Sequence, residues 1–348
     1  MALAAVVALV LASSATPGPH ANRVGQQSST QELVVVPYDS RLGSVNADTG
    51  FALVFPATQP APAKVVVFVP GGYGLDLGVP AGTTIGTVNA ATTAGATRLR
   101  GNVVVDSPTR FTADPAAIAC AGPAQHAAAW VLQLAVGATS VPVVVFIDPT
   151  SGTETGLGVY KLQACFTSPD AGAPRITDLY FELTRGVTNP SRLGAFAWGA
   201  FVTPFVAGTT NQNPAGTVEV RSIVPLPQVL TLKGKYDRKK KSIVLSGALT
   251  LAGQKFAGVD VDVYGSTKPA PSTFKRLGRV KTKTKQGTYS FRRKTAKTMY
   301  FGVLVDEYFT GARCESGPSV APAGCIQENI SIEVFSRLVK VTVPAKKK

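Results

Sequence analysis

SGALTLAGQKFAGVDVDVYG, residues 246–265, and FKRLGRVKTKTKQGTYSFRR, residues 274–293, decide the fold class of this chain. Side chains on a strand alternate between its two faces. Val259, Val261 and Val263 therefore face one way, and Asp260 and Asp262 the other. Farther on, Lys281, Lys283 and Lys285 alternate with Val280, Thr282 and Thr284. Gln286-Gly287 is a short-hairpin signal. Beyond it, Tyr289, Phe291 and Arg293 alternate with Ser290, Arg292 and Lys294. With Tyr289 and Phe291 turned inward, Arg292 and Lys294 join the three lysines on the outer face of a two-strand basic ladder. Like charges opposed across strands cost stability unless anions or solvent screen them.

The same rhythm extends outward. Strands are expected over 229–235, 242–251, 257–264, 277–285, 288–293, 298–305 and 330–343. Seven or eight strands in about 115 residues is the size of an immunoglobulin-like sandwich, here over residues 229–344. The order of elements resembles bacterial surface modules of the Ig-like, transthyretin-like or carboxypeptidase-regulatory type. The likeness rests on Ala257-Gly258-Val259 and on Gly287-Thr288-Tyr289-Ser290-Phe291. It covers about a third of the chain and implies a fold and an extracellular habit, as spacer, adhesion unit or wall contact. It carries over no binding residue. Such modules tend to be neutral or acidic, so the positive charge here departs from the pattern.

Upstream, Val-, Phe- and Tyr-rich runs suit a half-buried pleated surface. They predict strands near 32–36, 51–55, 64–69, 99–105, 130–136, 141–147, 159–166, 178–183, 196–206 and 217–223, with one short helix over 115–121. Residues 31–226 are thus expected to form a large β-sandwich of unrecognised type, with a hinge at Pro225–Pro227. The fold class is all-β, two sandwich domains in series.

Charge divides the chain sharply. Residues 1–228 hold 11 Lys+Arg against 12 Asp+Glu, and residues 229–348 hold 24 against 8. One module is near neutral and the other strongly basic, which points to an anionic partner for the second. The apolar run 2–12, followed by small residues, predicts a cleaved signal peptide over 1–21 and a linker over 22–30. No second apolar stretch of about 18 residues predicts a further membrane span, and residues 345–348 read as a basic tail. Four cysteines fit an oxidising compartment. Three pairings are possible; Cys120 with Cys165 and Cys314 with Cys325 is the most economical.

Catalytic patterns are weak. VVVFVPGGYG, residues 65–74, resembles the oxyanion-hole strand of α/β-hydrolases, but no G-x-S-x-G elbow exists. His126 lies upstream of any plausible nucleophile and reads as a loop or rim residue. Asp260 and Asp262 read as a solvated face rather than a Ca²⁺ site or glycosidase pair. No C-x-x-C spacing and no phosphate-binding glycine motif is present. The expectation is an exported, non-catalytic binding or structural protein without cofactor or metal. Its cations Lys281, Lys283, Lys285, Arg292 and Lys294 are expected to dock it on an anionic cell-envelope polymer. Specific nucleic-acid binding is not expected, since outward aromatics for base stacking are not evident. A purely structural spacer is the other reading, and a secreted hydrolase the third.

Overall fold

The computed structural model describes residues 30–344 apart from 94, 138, 284–285 and 315–324, and without the side chains of 95–97, 139, 271, 312–314 and 325. The expected signal peptide, nearly all of the linker, Lys285 and the basic tail lie outside the described residues. The described residues divide into two compact units, 30–224 with 308–331 and 225–307 with 332–344. Strands dominate both, and the all-β expectation holds.

In the larger unit the strands are β1 (Glu32–Pro37), β2 (Thr49–Val54), β3 (Pro62–Val69), a two-residue β4 (Gly74–Leu75), β5 (Thr84–Thr92), β6 (Gly95–Asp106) and β7 (Ala128–Val136). They continue as β8 (Thr139–Pro149), β9 (Tyr160–Cys165), β10 (Ile176–Leu183), a two-residue β11 (Val187–Thr188), β12 (Gly194–Pro204) and β13 (Val218–Leu226). Hydrogen bonding runs β1-β2-β10-β5-β6-β7-β8-β9-β3-β12-β13. Alternate residues turn inward, as the sequence pattern requires. Phe51 stacks on Phe181 at 4.8 Å and meets the edge of Trp198 at 5.4 Å, while Tyr73 closes on Trp198 at 4.8 Å. These aromatics contribute the largest apolar areas of the core.

Residues 308–331 return to this unit, although they lie inside the span 229–344 expected to be one module. They supply the end of β21 (Met299–Cys314) and most of β22 (Cys325–Phe335). β22 pairs in parallel with β13, Ser222 opposite Asn329. The reason for the return is an unmet edge. β1 pairs only with β2, so Leu33 C=O and Val35 N–H point away from the ladder. Buried backbone groups of this kind must find partners. Val35 N–H donates to Ser222 Oγ at 2.8 Å, and Asn329 Nδ2 donates to Leu33 O at 3.1 Å. Ser222 and Asn329 are fully buried. Beside them, buried Glu32 accepts from Tyr308 Oη at 2.8 Å and Gln327 Nε2 at 3.1 Å. Burial, with the Glu32 carboxylate alongside, pushes the Tyr308 phenol far up and keeps it a donor. Side chains thus close a sheet edge that would otherwise template aggregation.

The helix α1 (Pro115–Ala121) forms where expected, with Pro115 at its first turn and Asp114 accepting from Ala116 N–H and Ala117 N–H. A disulfide joins Cys120 to Cys165 at the end of β9. The side chains of Cys314 and Cys325 lie outside the described set.

The smaller unit contains β14 (Gln228–Leu230), β15 (Lys233–Asp237), β16 (Ser242–Leu251), a two-residue β17 (Gln254–Lys255), β18 (Asp260–Ser266), β19 (Lys275–Lys281), β20 (Thr288–Lys294) and β23 (Val339–Val341). One sheet is built on β16, which pairs with β14, β15, β17 and β20. In the other, β18 pairs with β19 and with β21, and β21 with β23. Ile243, Leu245, Val261, Val263, Phe301 and Val303 are fully buried. Phe291 reaches across to Gly278 of β19, where a Cβ would stand 2.8 Å from its ring.

The expected hairpin of 277–285 with 288–293 does not form. β19 belongs to the β18 sheet and β20 to the β16 sheet. Lys283 N–H still donates to Thr288 O at 2.8 Å, so the turn is tight. Gly287, at φ +57°, then accepts from Leu249 N–H at 2.9 Å and draws the chain onto β16. This passage between sheets buries Tyr289 on the sandwich interior, which a flat two-strand ribbon could not do.

Candidate functional site

On β18 and β19 the alternation behaves as expected: Val259, Val261 and Val263 are buried and Asp260 and Asp262 face outward. The cations there are internally matched. Arg279 grips Asp262 through two bonds of 2.7 and 3.0 Å, and Arg276 Nε donates to the same carboxylate at 2.9 Å. Lys281 Nζ lies 3.7 Å from Asp260. Exposed Lys281 therefore ends the edge strand β19 beside Asp260, and exposed Lys283 lies just beyond the strand, past the buried Thr282.

The Arg279 guanidinium holds the Asp262 carboxyl below its ordinary value, with Arg276 adding to it. A depressed carboxyl stabilises the fold above the unfolded pKa near 3.8 and loses that contribution as pH falls through the folded value. Asp262→Asn is accordingly expected to lower the melting temperature at pH 7 by a few degrees. Its gap to the parent chain should narrow as pH falls below 3.8, measured by thermal scans across pH. A gap that does not narrow with falling pH would show the effect is not electrostatic.

The unmatched charge lies on the other sheet. In register, Lys235, Val244 and Arg292 form one row across β15, β16 and β20, and Asp237, Ser242 and Lys294 the next. Tyr236, Ile243 and Leu245 belong to the opposite parity, with Ile243 and Leu245 fully buried, so these rows face out. Lys233, Lys235, Arg292 and Lys294 are all exposed. Because Lys294 lies opposite Ser242, the β15–β16 turn RKKK (238–241) meets RRK (292–294) at one end of the sheet. The pairing of β16 with β20 joins the two groups. Eight cations, Lys233, Lys235, 238–241, Arg292 and Lys294, share this region with one described carboxylate, Asp237. Asp237 accepts from Arg292 Nη1 at 2.9 Å and from Lys240 N–H at 3.1 Å, and Arg292 holds its carboxyl low. Its job is to fix the Arg292 side chain, which also donates to Ser242 Oγ at 3.0 Å.

Of the expected polyanion residues, Arg292 and Lys294 fall within this patch. Lys281 belongs to the other sheet, Lys283 lies just beyond the end of β19, and Lys285 lies outside the described residues.

The catalytic candidates resolve into architecture. His126 is in a loop as expected, but it is buried rather than at the rim. Its ring stacks on Phe146 at 4.2 Å, and Nδ1 lies 2.8 Å from Asp148 Oδ2. Asp148 also accepts from Ala127 N–H and Gln163 Nε2, so the group anchors the start of β7. At 65–74, β3 ends in a turn where Gly72 adopts φ +102° and Tyr73 N–H returns to Pro70 O. A left-handed turn, which glycine allows without strain, explains that motif. Among the described residues there is no group of three or more His, Cys, Asp or Glu that could hold a metal ion.

Neither a family model nor a curated protein matches the chain. Solved structures that are similar include domains D2 and D3 of the major pilin SpaD from Corynebacterium diphtheriae, 11% identical over 86% of this chain and 88% of that one, with a TM-score of 0.25. A tetra-tandem repeat in the extending region of a large adhesion protein is 11% identical over 88% and 74%, at a TM-score of 0.20. Likeness at this level assigns neither family nor function.

Proposed function

We propose that this chain is an exported, non-catalytic surface protein whose smaller unit docks on an anionic cell-envelope polymer through the outer face of β15, β16 and β20. The observation that carries this reading is the register that places the 238–241 turn beside Arg292–Lys294. Strand pairing gathers cations about 50 residues apart, with one described carboxylate among them. A surface of one sign concentrates a polyanion and steers its approach. No aromatic side chain is exposed in these rows, so the face suits charge rather than base stacking.

The test is retention on purified cell wall and on immobilised dextran sulfate across ionic strength. Neutralising four or five anionic groups should lower affinity with a log–log salt slope of about −3 to −4, taking the nucleic-acid relation as a guide. Lys235→Glu, Lys239→Glu and Lys294→Glu combined are expected to abolish retention. They should leave the melting temperature nearly unchanged, since exposed substitutions shift stability by about 0.5 kcal/mol or less. Binding indifferent to both salt and charge reversal would return the smaller unit to the role of spacer.

A further inference from the structure

A second surface, in the larger unit, has different chemistry. The outward residues of β12 are Ala195, Ala197, Gly199 and Phe201, while Trp198, Ala200 and Val202 are fully buried beneath. Small outward side chains leave a trough of about 410 Å³ along this strand, in the size range of ligand sites. One wall is Phe68 with the loop 155–159, whose Leu157 and Val159 remain 43% and 40% exposed. The other wall is polar. Glu219, its side chain only 7% exposed, accepts from Arg221 Nε at 2.8 Å, and Arg221 Nη1 lies 3.9 Å from Glu328 Oε1.

Three properties narrow the occupant. From Gly199 to Pro204 the floor strand lies between β3 and β13, so its backbone groups there are consumed and a peptide cannot add at that stretch as a further strand. The polar wall pairs one carboxylate, Glu219, with one guanidinium, Arg221, so it offers no net charge to hold an ionic ligand. A carboxylate and a guanidinium side by side accept from and donate to neighbouring hydroxyls, and charged partners make the stronger bonds. Opposite them, Leu157 and Val159 offer apolar contact, and the half-buried Phe201 ring lies on the floor. Hydroxyl edges combined with an apolar ring face are the chemistry of a sugar. We propose that this trough binds an uncharged oligosaccharide laid along β12.

Gly199 provides the discriminating variant. A Cβ placed there meets nothing within 4 Å, and its φ is not left-handed, so Gly199→Val should fold and fill the trough. The full chain would be titrated by calorimetry and ligand-observed NMR with cello-, malto-, manno-, xylo- and N-acetylglucosamine tetramers, up to about 1 mM. At least one tetramer is expected to bind, with affinity indifferent to salt and to the Lys235→Glu, Lys239→Glu, Lys294→Glu combination. Gly199→Val should weaken it at least tenfold at an unchanged melting temperature, and Glu219→Gln should weaken it while leaving the apolar wall intact. The proposal is overturned if no tetramer binds, if Gly199→Val binds as well as the parent, or if a uronic-acid tetramer or a peptide binds better.

Discussion

A chain that stops after Leu226 is expected to lose the cooperative thermal transition of the larger unit. Removing 308–331 takes away Asn329 from Leu33 O, and Tyr308 and Gln327 from the buried Glu32 carboxylate. It also strips β13 of its parallel neighbour β22. A buried polar group left without its partner costs about 1–3 kcal/mol. Several at once approach the about 5–15 kcal/mol that holds a typical domain together. The comparison to make is residues 30–226 against the full chain by circular dichroism on heating. A sharp transition at the parent temperature would refute the role given to Tyr308, Gln327 and Asn329. Asn329→Leu in the full chain is the gentler version. It should cost about 1–3 kcal/mol, at about 2–4 °C per kcal/mol for a unit of this size.

Replacing Cys120 and Cys165 together by serine should rank next in effect. The bond closes a loop 45 residues long in sequence. In the chain-entropy account, opening a loop of that length costs up to about 4 kcal/mol, or roughly 8–16 °C. The loss falls on α1, whose Ala117 packs with Ala129 and Phe146 and which has little length to be stable on its own. Lys64 Nζ donating to Cys120 O at 3.1 Å would be left as the nearest tether. Thermal scans of the parent with reductant should match those of the double variant, and scans without reductant should not. A shift under about 2 °C would mean that sheet packing alone seats the helix.

Much of the fold was legible because period-two patterning is local. The strands over 32–37, 128–136 and 139–149 and the helix 115–121 follow from residues within each segment. β5, TIGTVNAAT, was not foreseen because its residues are small and polar. Its place between β10 and β6 depends on close approach: a Cβ on Gly86 would stand 1.9 Å from Glu182 O. Pairing partners are where sequence falls short. Tyr289 and Phe291 announce an inward face, but nothing local says that the neighbour is β16 rather than β19. The basic patch was therefore found in part, through Arg292 and Lys294, while its β15 lysines and the 238–241 turn required the register. Likewise, no pattern in 308–331 declares that Asn329 answers Leu33 almost 300 positions earlier.

That last contact has a bearing on biogenesis. Ribosomes deliver about 5–20 residues per second, so roughly 5–20 s separate the emergence of residue 226 from that of residue 331. Throughout that interval Leu33 C=O lacks Asn329 and Glu32 lacks Tyr308 and Gln327, however well the rest of the first 226 residues has collapsed. The nascent polypeptide is held short of completion until its last strands arrive. A secretion pathway that carries unfolded substrates would find this chain compliant for nearly its whole synthesis.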